Sequence, residues 1–315
     1  MKILVTPTSF ANKESIAACE KLAAFADEVV FNSLGRPLTS SEVSEMTSGC
    51  DGYLAGLDTI DAKAIEGMPS SLKVISRYGV GLNNVDLEAA KKRGIAVTNT
   101  PLANSQSVAE LAVGLMFCAA RRLPRQDASM RMKKWELYIG MELAGKRLGI
   151  LGFGNIGRLV ARIAQGIPMH VSCYDPYVTI DEAAAYGVIK EEATMILEKS
   201  DVLSLHLPLN DSTYHIIDEA AFSRMKRGCI LINTSRGGLI DEVASMNALD
   251  NGKLRALALD VFEQEPPINS PLLSYENVIF SPHAGAHTAE SVSRMANMAV
   301  DSIISILSNI VTKRV

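Results

Sequence analysis

Residues 146–166 read KRLGILGFGNIGRLVARIAQG, and this stretch decides the fold. An apolar run, RLGIL, leads into GFGNIG (152–157), and NIGRLVARIAQG continues as a predicted helix. A strand, a glycine turn and a helix in this order are typical of a dinucleotide-binding βαβ unit. A second strand-like run, MHVSCY, ends at Asp175, 18 residues after Gly157. The spacing predicts a parallel sheet with a dinucleotide at the glycine turn.

Each part of the turn has a physical task. Gly152 permits the tight turn, Gly154 lets the backbone approach a pyrophosphate, and Gly157 lets the helix pack closely on the strand. The helix N-terminus, near Asn155 and Ile156, offers free N–H groups and a positive dipole to phosphates. The stretch therefore predicts a pyrophosphate site rather than a plain turn.

Asp175 indicates which dinucleotide is bound. Its carboxylate would accept hydrogen bonds from both ribose hydroxyls of an adenosine, and its charge would repel a 2′-phosphate. The residues that follow, PYV (176–178), supply no arginine to replace it. The sequence thus predicts NAD rather than NADP as cofactor.

Outward from this stretch, short apolar runs alternate with helix-like segments. The 315 residues suggest two domains, and the glycine turn lies in mid-chain, so a nucleotide domain inserted into a second α/β domain is predicted. Runs of this kind favour two doubly wound parallel sheets. The candidate strands are 2–6, 51–57, 72–76, 95–99, 146–152, 170–175, 201–207, 229–235, 255–261 and 277–281.

Composition excludes several classes of protein. A net charge of −4 gives no basic field for nucleic acid, and no apolar run reaches the ~18 residues of a membrane span. The N-terminal MKILVTP carries no secretory signal, and the five cysteines never form CxxC. We therefore expect a cytoplasmic location, with reduced thiols and no structural zinc site.

A helix over 104–122 is predicted from NSQSVAELAVGLMFCAARR. Ser105 or Ser107 is a candidate N-cap, with Glu110 placed as in a capping box after Ser107. A helix so apolar around its circumference must be buried on several sides. A core helix and a helix shared with a second subunit both fit this pattern.

Hydride transfer from an alcohol carbon needs a base, a cation and a group that orients the base. Arg236, Glu265 and His283 each follow a candidate strand, where ligands of doubly wound sheets gather. Taken singly, each also fits an ordinary loop residue. His283 and His287 are four apart, but Ala284 stands where a zinc helix has glutamate, so no metal site is predicted.

Long ordered motifs of this chain resemble the D-isomer-specific 2-hydroxyacid dehydrogenase family, and within it the short phosphoglycerate dehydrogenases. They are SRYGVGLNNVDLEAAKKRGIAVTNTP (76–101), NSQSVAELAVGLMFCAARRLP (104–124), ELAGKRLGILGFGNIGR (142–158), LHLPLNDSTYHII (205–217), INTSRGGLIDE (232–242), LALDVFEQEP (257–266) and SPHAGAHT (281–288). The resemblance covers nearly the whole chain and is loose only over the first ~70 residues.

The resemblance implies a catalytic set in which His283 is the general acid/base, Glu265 orients it, and Arg236 holds the substrate carboxylate. Asp260 would bond the nicotinamide carboxamide side of the cofactor. The implied cofactor contacts are Val80, Gly152, Gly154, Asn155, Ile156, Gly157, Asp175, Leu207, Thr234, Ser235, Asp260, His283 and Gly285. The implied substrate contacts are Arg77, Gly79, Val80, Gly81, Asn104 and Arg236.

The resemblance also implies the architecture and the reaction. Residues 1–98 with 283–315 would form a flavodoxin-like substrate domain, and 99–282 an NAD-binding Rossmann domain, with a homodimer through the 104–122 helix. The expected substrate is a small 2-hydroxy or 2-oxo acid, with 3-phosphoglycerate in serine biosynthesis favoured. A glyoxylate/hydroxypyruvate reductase is the alternative enzyme. An NAD-sensing co-repressor-like protein is disfavoured, because the acid/base set is complete.

Overall fold

A computed structural model describes residues 1–312, which divide into two compact units. The terminal unit is Met1–Asn104 together with the segment from Ala286 onward, and the central unit is Ser105–Gly285. The points of division lie a few residues beyond the boundaries expected from sequence, 98/99 and 282/283. Residues 313–315 of the expected substrate domain lie outside the described residues.

The terminal unit contains a five-stranded parallel sheet in the order β2-β1-β3-β4-β5. This order is that of flavodoxin-like sheets. Its strands are β1 Lys2–Val5, β2 Glu28–Phe31, β3 Gly52–Ala55, β4 Val74–Arg77 and β5 Ala96–Thr98. Its helices are α1 Ile16–Phe25, α2 Ser40–Met46, α3 Ala62–Gly67, α4 Leu87–Lys92 and, after the central unit, α12 Ala289–Thr312.

Helices cover this sheet on both faces, which explains its continuous apolar strands. All four residues of β3 and of β4 are buried. One apolar cluster joins β1 and β4 to α1 and α12, and a second joins them to the helices of the other face. The hydroxyl of Ser76 in β4 donates to the carbonyl of Ala299 in α12, at 3.0 Å.

The central unit contains a seven-stranded parallel sheet in the order β12-β11-β10-β9-β6-β7-β8. Its strands are β6 Arg147–Leu151, β7 His170–Tyr174, β8 Ile189–Lys190, β9 Val202–Leu205, β10 Cys229–Asn233, β11 Leu254–Leu259 and β12 Val278–Phe280. Its helices are α5 Ser105–Arg121, α6 Leu123–Arg131, α7 Asn155–Gly166, α8 Ile180–Ala184, α9 Ala193–Lys199, α10 Glu219–Arg224 and α11 Glu242–Asp250.

Strand order reverses between β6 and β9, the first and fourth strands of this unit. Counted from β6, the order is 3-2-1-4-5-6 with a seventh strand beyond the sixth, which is the Rossmann arrangement. The reversal opens a crevice at the carboxyl ends of the strands, where such sheets bind ligands. The predicted fold class, two doubly wound parallel sheets, is confirmed.

The predicted long helix is α5, and it packs as a core helix of the central unit. Its Ala109, Ala112 and Met116 are fully buried in the cluster that contains β6 and α7. The predicted capping box is wrong, because Ser107 lies inside the helix and Glu110 instead accepts from the Gln106 amide at 2.7 Å.

Within residues 1–312, no helix combines the length and apolar character needed to cross a membrane. The five cysteines are all free.

Candidate active site

The predicted functional side chains of the central unit follow the carboxyl ends of its parallel strands. Gly152 follows β6, Asp175 follows β7, Leu207 follows β9, Thr234 follows β10, Asp260 follows β11 and His283 follows β12. Because carboxyl ends of parallel strands meet at one edge of a sheet, a single edge carries both the glycine turn and the predicted acid/base residues.

The glycine turn has the shape that a dinucleotide requires. Gly152 has a φ of 92°, and a Cβ there would lie 2.5 Å from the carbonyl oxygen of His206. A Cβ at Gly157 would overlap the carbonyl of Gly152, so α7 approaches the turn as closely as its backbone allows. At Gly154 an added Cβ would meet open space. Two glycines are thus required by packing, and the third leaves room for a ligand.

The first turn of α7 is left available to an anion. Its N-cap is Gly154, which has no side chain. Among the described residues, no side chain at this position caps the N–H groups of Asn155 and Ile156. The free N–H groups of a helix N-terminus attract phosphate. The turn and the helix therefore fit the pyrophosphate of NAD.

Asp175 lies beside this turn, with both carboxylate oxygens facing backbone donors. Its Oδ2 accepts the Phe153 N–H at 2.8 Å, and its Oδ1 accepts the Tyr177 N–H at 2.9 Å. Each carboxylate oxygen has a second lone pair for a further donor. The position and the remaining acceptor capacity suit a ribose diol.

His283 and Glu265 form a direct pair. His283 Nδ1 lies 2.7 Å from Glu265 Oε2, and both side chains are partly exposed. Because a carboxylate only accepts, Nδ1 carries the proton, and Nε2 is the nitrogen left for a substrate. The pair therefore has the arrangement of an oriented general acid/base.

The Glu265 carboxylate is held in its charged form. Burial raises its pKa, but the hydrogen bond and charge of His283, the Phe262 N–H at 3.1 Å and the charge of Arg236 lower it more. The net pKa of Glu265 is lowered. Burial in turn lowers the pKa of the Arg236 guanidinium, although the charge of Glu265 opposes that shift.

Asp260 organises the turn that carries His283. Its Oδ1 accepts from Ser281 Oγ at 2.6 Å and from the Ala284 N–H at 2.8 Å, and its Oδ2 accepts the Gly285 N–H at 2.8 Å. The His283 N–H donates to the Asp260 carbonyl at 2.8 Å. These bonds hold His283 at a φ of 51°, a left-handed conformation that is uncommon for residues other than glycine.

A second turn, after β10, carries Arg236. The Asn233 side chain closes it, donating to the Arg236 carbonyl at 2.8 Å and accepting the Ser235 N–H at 3.0 Å. Ser235 Oγ donates to the Leu207 carbonyl at 2.5 Å. Thr234 Oγ1 is buried and has no hydrogen-bond partner among the described residues, so it is a polar group that a bound ligand would satisfy.

The predicted substrate contacts other than Arg236 lie in the terminal unit. Arg77 ends β4 and is buried, and its Nη1 donates to the Tyr78 carbonyl. Gly79 has a φ of 140°, and its missing Cβ leaves the space that the Arg77 guanidinium fills. The carbonyl of Val80 accepts from the Asn99 amide at 2.7 Å. Gly81 follows in the same loop, and Asn104 ends this part of the unit.

The structure thus brings the predicted acid/base set and the glycine turn into one unit. Sequence reasoning missed the residues that shape the turns, above all Asn233 and Ser281. Asn233 carries a recognisable signal, because asparagine side chains close turns by bonding the backbone two residues on. Nothing in the sequence marks Ser281 as a partner of Asp260.

Comparisons with known proteins show which family the chain resembles. A family model described as D-isomer specific 2-hydroxyacid dehydrogenase, NAD binding domain, matches residues 113–285. A D-3-phosphoglycerate dehydrogenase of Methanocaldococcus jannaschii is 41% identical over 273 residues, which are 86% of this chain and 52% of that protein. The chain thus spans about half the length of that relative.

Two further proteins match over most of their own length. A glyoxylate reductase of Korarchaeum cryptofilum is 41% identical over 277 residues, 85% of this chain and 83% of that protein. The crystal structure of a D-lactate dehydrogenase from Aquifex aeolicus, complexed with NAD and lactic acid, matches with a TM-score of 0.85 and 28% identity, covering 98% of this chain and 96% of that one. With its NAD-binding fold and a family match over more than half its length, this chain belongs to the D-isomer specific 2-hydroxyacid dehydrogenase family.

Proposed function

We propose that this protein is an NAD-dependent D-2-hydroxyacid dehydrogenase that uses His283 as its general acid/base. The observation that carries the proposal is the His283–Glu265 pair, at 2.7 Å, in the same unit as a glycine turn that fits a dinucleotide. An acid/base residue oriented by a carboxylate beside a nicotinamide site is what hydride transfer to a carbonyl needs.

In the direction of reduction, each residue has one task. Arg236 binds the substrate carboxylate through its guanidinium and polarises the carbonyl next to it. His283 donates the Nε2 proton to the carbonyl oxygen, while Glu265 keeps the Nδ1 proton in place. The nicotinamide, when bound, supplies the hydride. In oxidation, the neutral Nε2 takes the hydroxyl proton back.

We propose phosphohydroxypyruvate and 3-phosphoglycerate as the substrate pair, which would place the reaction in serine biosynthesis. The support is the phosphoglycerate dehydrogenase of M. jannaschii and Arg77, next to the glycine loop 79–81. A guanidinium binds phosphate or carboxylate in a bidentate manner, and glycine-rich loops offer backbone N–H groups to anions.

A second candidate is a glyoxylate or hydroxypyruvate reductase. The K. cryptofilum relative favours it, because the match covers 83% of that protein. Neither glyoxylate nor hydroxypyruvate carries a phosphate. The two candidate functions therefore differ in whether the enzyme prefers a phosphorylated or an unphosphorylated oxo acid.

The deciding experiment is NADH oxidation with phosphohydroxypyruvate, hydroxypyruvate, glyoxylate, pyruvate and 2-oxoglutarate. We expect the highest kcat/KM with phosphohydroxypyruvate. Arg77→Ala should then reduce that value by tenfold or more, and the value for hydroxypyruvate by much less, because a charge-assisted bond is typically worth ~1.5–3 kcal/mol. A wild type that prefers an unphosphorylated acid, or equal losses on both substrates, would contradict the phosphoglycerate assignment and leave the dehydrogenase assignment intact.

We further propose a homodimer, supported by an exposed apolar arm over residues 134–141. Trp135, Leu137 and Ile139 alternate along it with exposures of 81%, 85% and 89%. Contiguous apolar side chains so exposed mark interaction surfaces.

The opposite side of the arm is fixed to the central unit. Arg255 donates to the Ile139 carbonyl at 2.8 Å, the Met141 N–H donates to the Ala120 carbonyl at 2.8 Å, and Arg125 lies 4.4 Å over the Tyr138 ring. An arm held on one side and apolar on the other suits a second copy of the chain. The side of α5 that carries the exposed Phe117 would also contribute to this interface.

We propose a cytoplasmic location, because five free cysteines suit a reducing compartment. Cell fractionation followed by immunodetection tests it.

A further inference from the structure

Tyr214, His215 and Glu263 form a cluster in the central unit outside the proposed catalytic set; we call it the brace. His215 Nε2 lies 2.7 Å from Glu263 Oε1, and the Tyr214 hydroxyl donates to the same oxygen at 3.1 Å. The two rings stack with centroids 4.0 Å apart. Because the carboxylate oxygen only accepts, His215 must carry a proton on Nε2.

The brace ties three loops together through backbone contacts. The His215 N–H donates to the Gly238 carbonyl at 2.8 Å, and Gly238 lies against the Tyr214 ring. A Cβ at Gly237 would overlap the backbone between Phe262 and Glu263. The loops after β9, β10 and β11 are therefore pressed against one another at this point.

Two of these loops carry members of the proposed catalytic set. Arg236 directly precedes Gly237, and Glu265 lies two residues beyond Glu263. The contacts of Glu263 thus restrain the short stretch from Phe262 to Glu265. The position of this stretch relative to Arg236 determines the direction of the Glu265 carboxylate.

We propose that Glu263, held by Tyr214 and His215, positions Glu265 and Arg236 for the reaction. This inference rests on the proposed function and makes Glu263 and His215 positioning residues. The side chains of His215 and Glu263 are 28% and 37% exposed, so their polar contact adds little to stability. A displacement of about 1 Å at a reacting group can cost ~10²-fold in rate, so the brace matters for geometry more than for folding.

The test compares Glu263→Ala with Glu263→Gln in steady-state reduction of the substrate that the wild type prefers. The single carbonyl oxygen of glutamine can accept both bonds that Oε1 accepts, whereas alanine accepts neither. We expect Glu263→Ala to lower kcat/KM by about tenfold to a hundredfold, with a raised KM for the oxo acid. Glu263→Gln should recover most of this loss.

The matched control is Glu198→Ala, which removes a partly exposed carboxylate from an ion pair with Arg224, at 3.5 Å, in the same unit. Thermal unfolding and NADH binding by fluorescence are measured on every variant. A merely structural role would lower the unfolding temperature and the active fraction and leave KM unchanged. The proposed role moves KM and kcat while the unfolding temperature and NADH affinity stay near the wild-type values.

Tyr214→Phe is the second variant, because it removes only one hydroxyl from a ring that is 56% exposed. We expect a two- to fivefold rise in KM, in keeping with one hydrogen bond of moderate strength. Wild-type kinetics in both Glu263→Ala and Tyr214→Phe, or losses no larger than that of Glu198→Ala, would overturn the inference. A wild type with no dehydrogenase activity would overturn the proposed function instead, so the two failures are distinguishable.

Discussion

At the scale of single residues, His283 occupies a conformation that its neighbours impose. The hydrogen bond from the His283 N–H to the Asp260 carbonyl holds the backbone of His283 in the left-handed region. Glu265 then fixes the imidazole ring through its contact with Nδ1. Strained backbone of this kind is maintained only where surrounding bonds enforce it. The position of the Nε2 atom is therefore set before any substrate binds.

We expect His283→Asn to lower turnover by ~10²–10⁴-fold, the usual range for a general acid/base. NADH affinity should stay near the wild-type value, because the glycine turn is unchanged. Glu265→Gln should cost less than loss of His283, since a glutamine oxygen still accepts from Nδ1. Turnover numbers and NADH fluorescence titrations measure both effects, and near-normal turnover of His283→Asn would reassign the role.

Asp175 should set the preference for NADH over NADPH. Removal of its charge in Asp175→Asn relieves the repulsion of a 2′-phosphate while keeping an acceptor for the Phe153 N–H. We expect the ratio of kcat/KM values for the two cofactors to fall by about tenfold or more, in keeping with ~1.5–3 kcal/mol for a bond to a charged group. Comparable values for NADH and NADPH in the wild type would contradict the NAD assignment.

His206 should make stability depend on pH. Burial lowers the pKa of its ring to about 4 in the folded protein. The unfolded chain takes up this proton at a higher pH, so the contribution to stability is present above the ordinary histidine pKa of ~6.5 and is lost as pH falls towards the folded value. Urea unfolding at about pH 7 and pH 5 should show that the free energy of unfolding falls less between these pH values in His206→Gln than in the wild type. In a variant of the exposed His170 it should fall as much as in the wild type.

At the scale of elements, the contact between β6 and α7 depends on Gly157. A methyl group there would press against the Gly152 carbonyl, so we expect Gly157→Ala to cost about 1–3 kcal/mol of unfolding free energy and to weaken NADH binding. In Gly154→Ala the methyl group enters open space, so stability should hold while NADH binding is lost. Gly166→Ala, also open, is the control for both measurements. A stable Gly157→Ala would show that the turn can relax.

The elements that sequence analysis missed are the edge strands β2 and β8. Glu28–Phe31 and Ile189–Lys190 lie at the ends of their sheets, and neither strand has a fully buried residue. Edge strands have one neighbour and need no continuous apolar run, which is the signal that identified the inner strands. The predicted capping box was wrong for a different reason: a Ser-x-x-Glu pattern occurs both at helix N-termini and inside helices, so the pattern alone does not identify a cap.

At the scale of the whole molecule, sequence indicates candidate site residues but not the contacts that hold them in place. Arg236, Glu265 and His283 stand in family motifs, whereas the partners of Asp260 and Glu263 are far along the chain and become neighbours only through the sheet order. The Gly turn was predictable because its signal is local. The brace was not predictable, because Tyr214 and His215 lie 49 and 48 residues before Glu263 in the sequence.

Assembly is testable at this scale. We expect the protein to sediment near twice 33.9 kDa at micromolar concentration. Replacing Trp135 and Leu137 by serine should shift it to the monomer without unfolding it, because both side chains are more than four-fifths exposed. Ile180→Ser, at another exposed apolar position of the central unit, should leave the mass unchanged. A wild type that sediments as a monomer would contradict the dimer.

The proposed acid/base pair, the carboxylate-binding arginine and the glycine turn all lie in one uninterrupted piece of chain, Ser105–Gly285. Arg77, at the end of β4, and Gly79, in the loop after it, belong to the flanks, which the two ends of the chain build together. In a gene, such a protein would be an internal cassette for the proposed chemistry, between two flanking segments that carry the proposed substrate contacts. Recombination that replaces the flanks and keeps the cassette would offer a new acid to an existing reaction, which is an economical route by which one ancestral enzyme diversifies.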